Sequence, residues 1–166
     1  MMGQYGPTSE RARRGHEPVR RQAHGALANH AAETPAVAAA IVAAVLAISP
    51  KLALLAISGT CQEDAAHAVS CPVYSEIFAD RAYLSTGRLV PRSRPDAMIS
   101  DAKAATARLL GFLDTGLMPV VDGDPISLAA HSICIHGDSP HAVSMEQDIR
   151  AGLAAAWVTL APFLRP

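Results

Sequence analysis

Residues 52–57 read Leu-Ala-Leu-Leu-Ala-Ile, apolar at every position, with helix signals on either side. A strand of that kind has no polar face to turn to water, so it must be covered on both faces, as in a parallel sheet flanked by helices. Two further short runs, 73–79 and 132–135, predict strands and end abruptly in charged and hydrogen-bonding side chains. The segments between them carry helix punctuation. Thr34-Pro35 offers a capping side chain and then proline at the first helical position, predicting a helix through the alanine-rich run to Ile48. Thr60 with Glu63 predicts a capping box opening a helix to about Ser70. Ser100-Asp101 predicts the cap of a helix to about Leu113, with Gly116 near its end. Ser139-Pro140 predicts the start of another helix, ending near Ala156. Asp122-Gly123 predicts a tight hairpin turn between Val120-Val121 and 126–128, and 158–161 a last short strand. Residues 80–99 are left as a long loop. Alternating strands and helices imply an α/β fold with right-handed crossovers.

Size and composition agree with this. At 166 residues the chain reads as one domain over 19–166, preceded by a basic head. Aromatics make up only 4% of the sequence and alanine is abundant, which suits helices packed closely on a sheet better than a β-sandwich. A net charge of −1 gives no global attraction to nucleic acid or an anionic membrane. Only the head, with Arg11, Arg13, Arg14, Arg20 and Arg21 close together, is basic. Residues 1–18 are expected to be a disordered, solvated tail, with an anion or RNA contact as the other reading. The apolar region 35–57 is broken by Ser49-Pro50-Lys51 into pieces too short to span a bilayer, and no signal peptide pattern opens the chain. Cys61, Cys71 and Cys134 form no CxxC pair and read as reduced thiols of a cytoplasmic protein, Cys134 as a small buried hydrophobe.

The candidate chemistry lies at the predicted strand ends, where ligands sit in α/β proteins. Asp80 and Arg81 follow one strand, and Arg92 follows the apolar pair Leu89-Val90 across a loop. Two arginines at a loop mouth suit a phosphate or carboxylate. An Asp80–Arg81 or Glu76–Arg92 ion pair that merely holds the loop is the competing reading. His136-Gly137-Asp138 lies between a strand and a helix start, where a histidine transfers protons near neutral pH. Asp138 either orients His136, acts as a base, or caps the helix. His24-Gly25 repeats the histidine–glycine pattern after the first strand-like segment. A grouping of His24, His136 and Asp138 is conceivable as a metal site, but HExxH, paired CxxC and HxH are all absent and no metal is expected. No Walker or dinucleotide loop is present.

Four segments together resemble a known family. They are His24-Gly-Ala-Leu27 with Asn29, residues 76–83 (Glu-Ile-Phe-Ala-Asp-Arg-Ala-Tyr), residues 89–92 (Leu-Val-Pro-Arg), and Cys134-Ile-His-Gly-Asp138. In this order and spacing they resemble the LamB/YcsF lactam-utilisation family, the A subunits of the ATP-dependent bacterial 5-oxoprolinase. The resemblance implies a partial, distorted TIM-like (β/α) barrel, with parallel strands alternating with helices and the family's amino-terminal strands missing. It implies cleavage of 5-oxo-L-proline (pyroglutamate) to L-glutamate with ATP as co-substrate, in complex with subunits B and C. The sites it implies are catalytic groups at His24, Asp80, His136 and Asp138, and substrate or phosphate ligands at Glu76, Asn29, Arg81 and Arg92.

The sequence departs from the family where Lys-Pro and a tyrosine normally flank the histidine–glycine motif; here stand Gln22, Ala23 and Ala28. Because the family's amino-terminal strands are missing, the expectation is a partial barrel with open sheet edges that favour self-association. An inactive remnant that retains fold or partner binding is the alternative, and a metal-dependent, deacetylase-like barrel hydrolase is a third reading.

Overall fold

The structure, a computed structural model, describes residues 20–136 and 142–161. The expected head over 1–18 lies outside the described residues, as do Asp138 and the expected helix start at Ser139-Pro140. The chain divides into two compact units, Met1–Tyr74 and Ser75–Pro166.

In the first unit, β1 (Arg20–Gln22) is followed by α1 (Gly25–Glu33), α2 (Pro35–Ile48), β2 (Ala53–Ile57) and α3 (Cys61–Ala68). β1 and β2 are parallel, with Arg20 opposite Ala53 and Gln22 opposite Leu55. Every residue of β2 is buried, as an all-apolar strand requires. α2 turns Ala38, Val42 and Val45 inward, the spacing of one helical face. Val42 and Val45 pack with Leu52, Leu54, Ala56, Ala66 and Cys71 into the core of this unit. Burying each Leu or Val side chain stabilises the fold by about 1.5–3 kcal/mol.

Two expected caps differ in detail. Thr34 precedes Pro35 as expected, but its hydroxyl meets His30 Nδ1 (3.3 Å) instead of capping α2. Thr60 Oγ1 donates to Ile57 O (2.7 Å), and Glu63 Oε2 accepts from Gly59 N (2.7 Å), so the capping box has become a clasp across the turn after β2. α1 is a helix that the sequence reading did not place. No single helix among the described residues is long and apolar enough to cross a membrane.

β3 (Val73–Phe78) carries the chain into the second unit, which holds α4 (Ala102–Thr115), β4 (Leu117–Met118), β5 (Ile126–Ser127), β6 (Ser132–Cys134) and α5 (Ala142–Ala155). β3 and β6 are parallel, with Glu76 opposite Ser132 and Phe78 opposite Cys134. Parallel strands alternating with helices, the α/β arrangement expected of a partial barrel, are what both units show. α4 begins as expected, with Asp101 accepting from Lys103 N (2.8 Å) and Ala104 N (3.4 Å). It buries Ala105, Leu109 and Phe112, and packs against α5, which buries Met145, Ile149 and Leu153.

The loop over 80–99 is an ordered excursion, with antiparallel bridges Arg81–Met98 and Tyr83–Leu89 over a small core of Ala82, Val90 and Ala97. Two expectations are corrected. The hairpin pairs β4 with β5, Leu117 opposite Ser127, across a connection longer than a two-residue turn. Asp122 is not part of a tight turn: its carboxylate accepts from Ser85 N (2.6 Å) and ties that connection to the 80–99 excursion. Residues 158–161 are not a strand. Trp157 adopts φ 63°, and the Val158 amide bonds back to Leu153 O (3.0 Å), so this segment finishes α5 instead of pairing.

Candidate functional site

In the second unit, the register of β3 and β6 decides what can meet beyond their carboxyl ends. Phe78 lies opposite Cys134, so two residues further on, on the same face, Asp80 lies level with His136. Ala79 N donates to Cys134 O (2.9 Å) and extends the pairing to that point. Asp80 is 4% exposed and takes three contacts from one residue. His136 N donates to Oδ2 (3.1 Å), and His136 Nδ1 lies 3.1 Å from Oδ1 and 3.0 Å from Oδ2. The imidazole stacks on the Phe78 ring, centroids 5.2 Å apart and planes 13° from parallel, and its side chain keeps 25% exposure.

A histidine whose Nδ1 is held by a buried carboxylate is fixed in orientation, with Nε2 left for proton transfer. Burial pushes the Asp80 carboxyl up, but the His136 ring and amide outweigh it and hold the group below the ordinary carboxylate value. One step back along the same two strands, Ser132 Oγ donates to Glu76 Oε1 (3.2 Å), with Glu76 itself buried. Between these levels sits Cys134, whose thiol is pushed up to about 12 by burial and by the acids Glu76 and Asp80. It is half-buried, not fully buried as expected, and its thiol is a neutral spacer at physiological pH.

The other expected residues fall in three places. Arg81 is buried, and its Nη2 donates to Val90 O (2.7 Å), bracing the 80–99 excursion. Arg92 is exposed further along that loop, near Arg94, which pairs with Asp96 through Nε (2.9 Å) and Nη2 (2.5 Å). His24 and Asn29 belong to the first unit: His24 is the exposed residue before α1, and Asn29 is exposed on that helix. Gly25 follows His24 with φ 59°, a left-handed conformation that glycine adopts without strain. Among the described residues no group of three or more His, Cys, Asp or Glu side chains is placed to hold a metal ion.

Arg108 is the site residue that the sequence reading missed. It projects from α4, and its Nη2 donates to Phe78 O (2.6 Å) and Ala79 O (3.1 Å), directly behind Asp80. The available signal was its place three residues after Ala105 and four before Phe112, on the apolar face of a helix.

The sequence model described as the LamB/YcsF family matches residues 2–166. The chain belongs to the LamB/YcsF family. It is 44% identical over 135 residues to the 5-oxoprolinase A subunit of Neisseria meningitidis serogroup A, covering 81% of this chain and 55% of that protein. It is 43% identical over 132 residues to the Bordetella pertussis 5-oxoprolinase A subunit, covering 80% of this chain and 52% of the relative. Among solved structures, the crystal structure of the lactam utilization protein from Thermus thermophilus matches with a TM-score of 0.79 at 33% identity, over 90% of this chain and 59% of that one. The chain thus spans about half the length of the curated relatives it matches. The residues that the family model matches include both members of the Asp80–His136 pair, and the relatives' names point to a hydrolase-type family.

Proposed function

We propose that this LamB/YcsF protein works as the A subunit of a 5-oxoprolinase, opening 5-oxo-L-proline to L-glutamate in the cytoplasm with ATP as co-substrate and with B and C subunits as partners. The observation that carries the reading is the Asp80–His136 pair at the carboxyl ends of two adjacent parallel strands, in a chain whose relatives bear that name. Opening the lactam breaks the ring C–N bond; water's hydroxyl goes to the acyl carbon and its proton, in net, to the departing nitrogen. His136 Nε2 takes the proton from water and returns it to nitrogen, while Asp80 holds the ring and stabilises the imidazolium formed in between. ATP would donate its γ-phosphoryl group to the lactam carbonyl oxygen, with ADP leaving, to make that carbon a better electrophile, and a second water would release the group as inorganic phosphate. Arg92, on the exposed part of its loop, is the candidate ligand for that phosphate. Arg81 steadies the loop from beneath through Val90 O. Glu76, His24, Asn29 and Asp138 are candidates for substrate contact and proton transfer. Three cysteines without a CxxC pair suit a reducing compartment.

The test is glutamate release from 5-oxoproline with ATP and the B and C subunits present. Asp80→Asn and His136→Gln are each expected to lower kcat by roughly 10²- to 10⁴-fold, the usual contribution of a positioned acid–base group. Undiminished turnover in either variant removes that residue from the mechanism. Gln22, Ala23 and Ala28, standing where the family resemblance leads one to expect a cation, a proline and a ring hydroxyl, favour a second reading in which the chain binds partners without turnover. Co-purification with B and C subunits but no glutamate release would select that reading.

A further inference from the structure

The pair depends on more than its own two side chains. Asp80 sits just past the last paired residues of β3, where the backbone leaves the sheet and its carbonyls lose ladder partners. Arg108 takes up two of them in succession, Phe78 O at 2.6 Å and Ala79 O at 3.1 Å, from a single nitrogen. The preceding peptide is held by Tyr83, fully buried, whose hydroxyl accepts from Phe78 N (2.9 Å). The Arg108 guanidinium lies over the Tyr83 ring, 5.7 Å from its centroid, so cation and phenol brace each other. Phe78, held through both its N–H and its carbonyl, is also the residue on which the His136 ring stacks.

Burial makes the Arg108 charge costly, and Tyr83 and Asp80 offset that cost. Arg108 Nε is moreover buried with no hydrogen-bond partner among the described residues. An apolar side chain would avoid this cost, so the buried guanidinium is kept for the two carbonyls that its Nη2 reaches.

We propose that Arg108 is the positioning residue of the Asp80–His136 pair, fixing the Phe78–Ala79 backbone so that Asp80 meets His136 Nδ1 and Phe78 supports the imidazole. The inference rests on the acid–base reading above for its catalytic consequence, but not for its structural one. Three groups bear on the Asp80 carboxylate: His136 beyond β6, Cys134 on β6 and Arg108 on α4. His136 holds the carboxyl down, so loosening the turn brings its titration back up toward the ordinary value.

The test uses Arg108→Met, which keeps bulk without charge or donors, and Arg108→Lys, which keeps the charge on a shorter side chain that reaches the two carbonyls less well. Carbon-detected NMR of the Asp80 carboxyl is read as a function of pH, together with the His136 ring shifts. Turnover is measured in the assembled enzyme. In Arg108→Met the Asp80 titration is expected to move up, the ring-current shift of His136 to shrink, and kcat to fall roughly 10- to 100-fold with KM little changed, as for a displaced reacting group. Arg108→Lys is expected to move the titration the same way by a smaller amount, and serves if the methionine variant does not fold. A folded variant of either kind with the Asp80 titration and His136 shifts of the parent overturns the proposal; a loss of thermal stability alone would mark Arg108 as merely structural. If Asp80→Asn leaves turnover intact, the acid–base reading fails separately, and the NMR titration still decides the role of Arg108.

Discussion

Asp80 is a buried acid with a low carboxyl value, and this has a consequence for stability as well as for chemistry. Burial alone would raise the group; the His136 contacts reverse that, so the folded value lies below the unfolded value of about 3.9. A depressed folded pKa means that the stabilisation is complete above the unfolded value and disappears as pH falls through the folded one. Urea melts from pH 7 downward are therefore expected to lose stability below about pH 5, with a shallower loss in Asp80→Asn. Equal pH slopes in the two proteins would show that Asp80 is not held by His136. Cys134 offers a second check, since a thiol pushed up to about 12 stays protonated at pH 8. In the folded protein its alkylation by iodoacetamide, followed by mass spectrometry, is expected to be much slower than in urea. At this scale the sequence showed Asp80 and His136 as strand-end residues but not as partners. Their meeting depends on the register of two strands 56 residues apart, which no local pattern encodes. Arg108 stayed hidden for a related reason: a helix face reveals that a residue points inward, not which carbonyls it will find there.

Elements whose signals are complete within one turn matched their sequences. Asp101 caps α4 with its own carboxylate, and the all-apolar β2 is buried throughout. The failures occurred where a side chain found a better distant partner. Asp122 serves Ser85 and leaves the tight turn unmade, and Thr60 turns back to Ile57 O instead of capping α3. The packing of α4 on α5 supplies a quantitative test. A Cβ added at Gly152 would come within 2.6 Å of Thr106 Cγ2, and Thr106 cannot rotate freely because its hydroxyl donates to Ala102 O (2.7 Å). Gly152→Ala is expected to lower unfolding free energy by about 1–3 kcal/mol through overpacking, read as a shift of the urea midpoint at constant slope. Thr106→Ser removes the offending methyl and keeps the hydroxyl, so the double variant should recover most of that loss. No coupling between the two substitutions would mean that the helices relax apart. Asp101→Ala, which removes only the cap, is expected to cost about 1 kcal/mol in the same measurement.

At the scale of the whole molecule, buried charge among the described residues is divided unevenly between the two units. In the first unit the core formed around Val42, Val45, Leu52 and Leu54 contains no ionisable side chain except the Cys71 thiol, itself raised by burial. Its buried polar residues, Ser58, Thr60 and Gln62, are uncharged. The buried charged residues among those described, Glu76, Asp80 and Arg81, all belong to the second unit. Composition could not reveal this, because a net charge of −1 averages over the whole chain. Ionisable groups buried in one place make that place the part of a protein that answers to pH, since each must gain or lose its charge as the surroundings open. Acid is therefore expected to open the molecule regionally before it unfolds globally. In native-state hydrogen exchange at stepwise lower pH, the amides of β3, β6 and the 80–99 excursion should lose protection before those of β2 and α2. Asp80→Asn should narrow that gap, because it removes the acid whose charge His136 holds. Simultaneous loss of protection in both units at every pH would show that stability is shared evenly, and that the Asp80–His136 pair carries no more of it than the apolar core of β2.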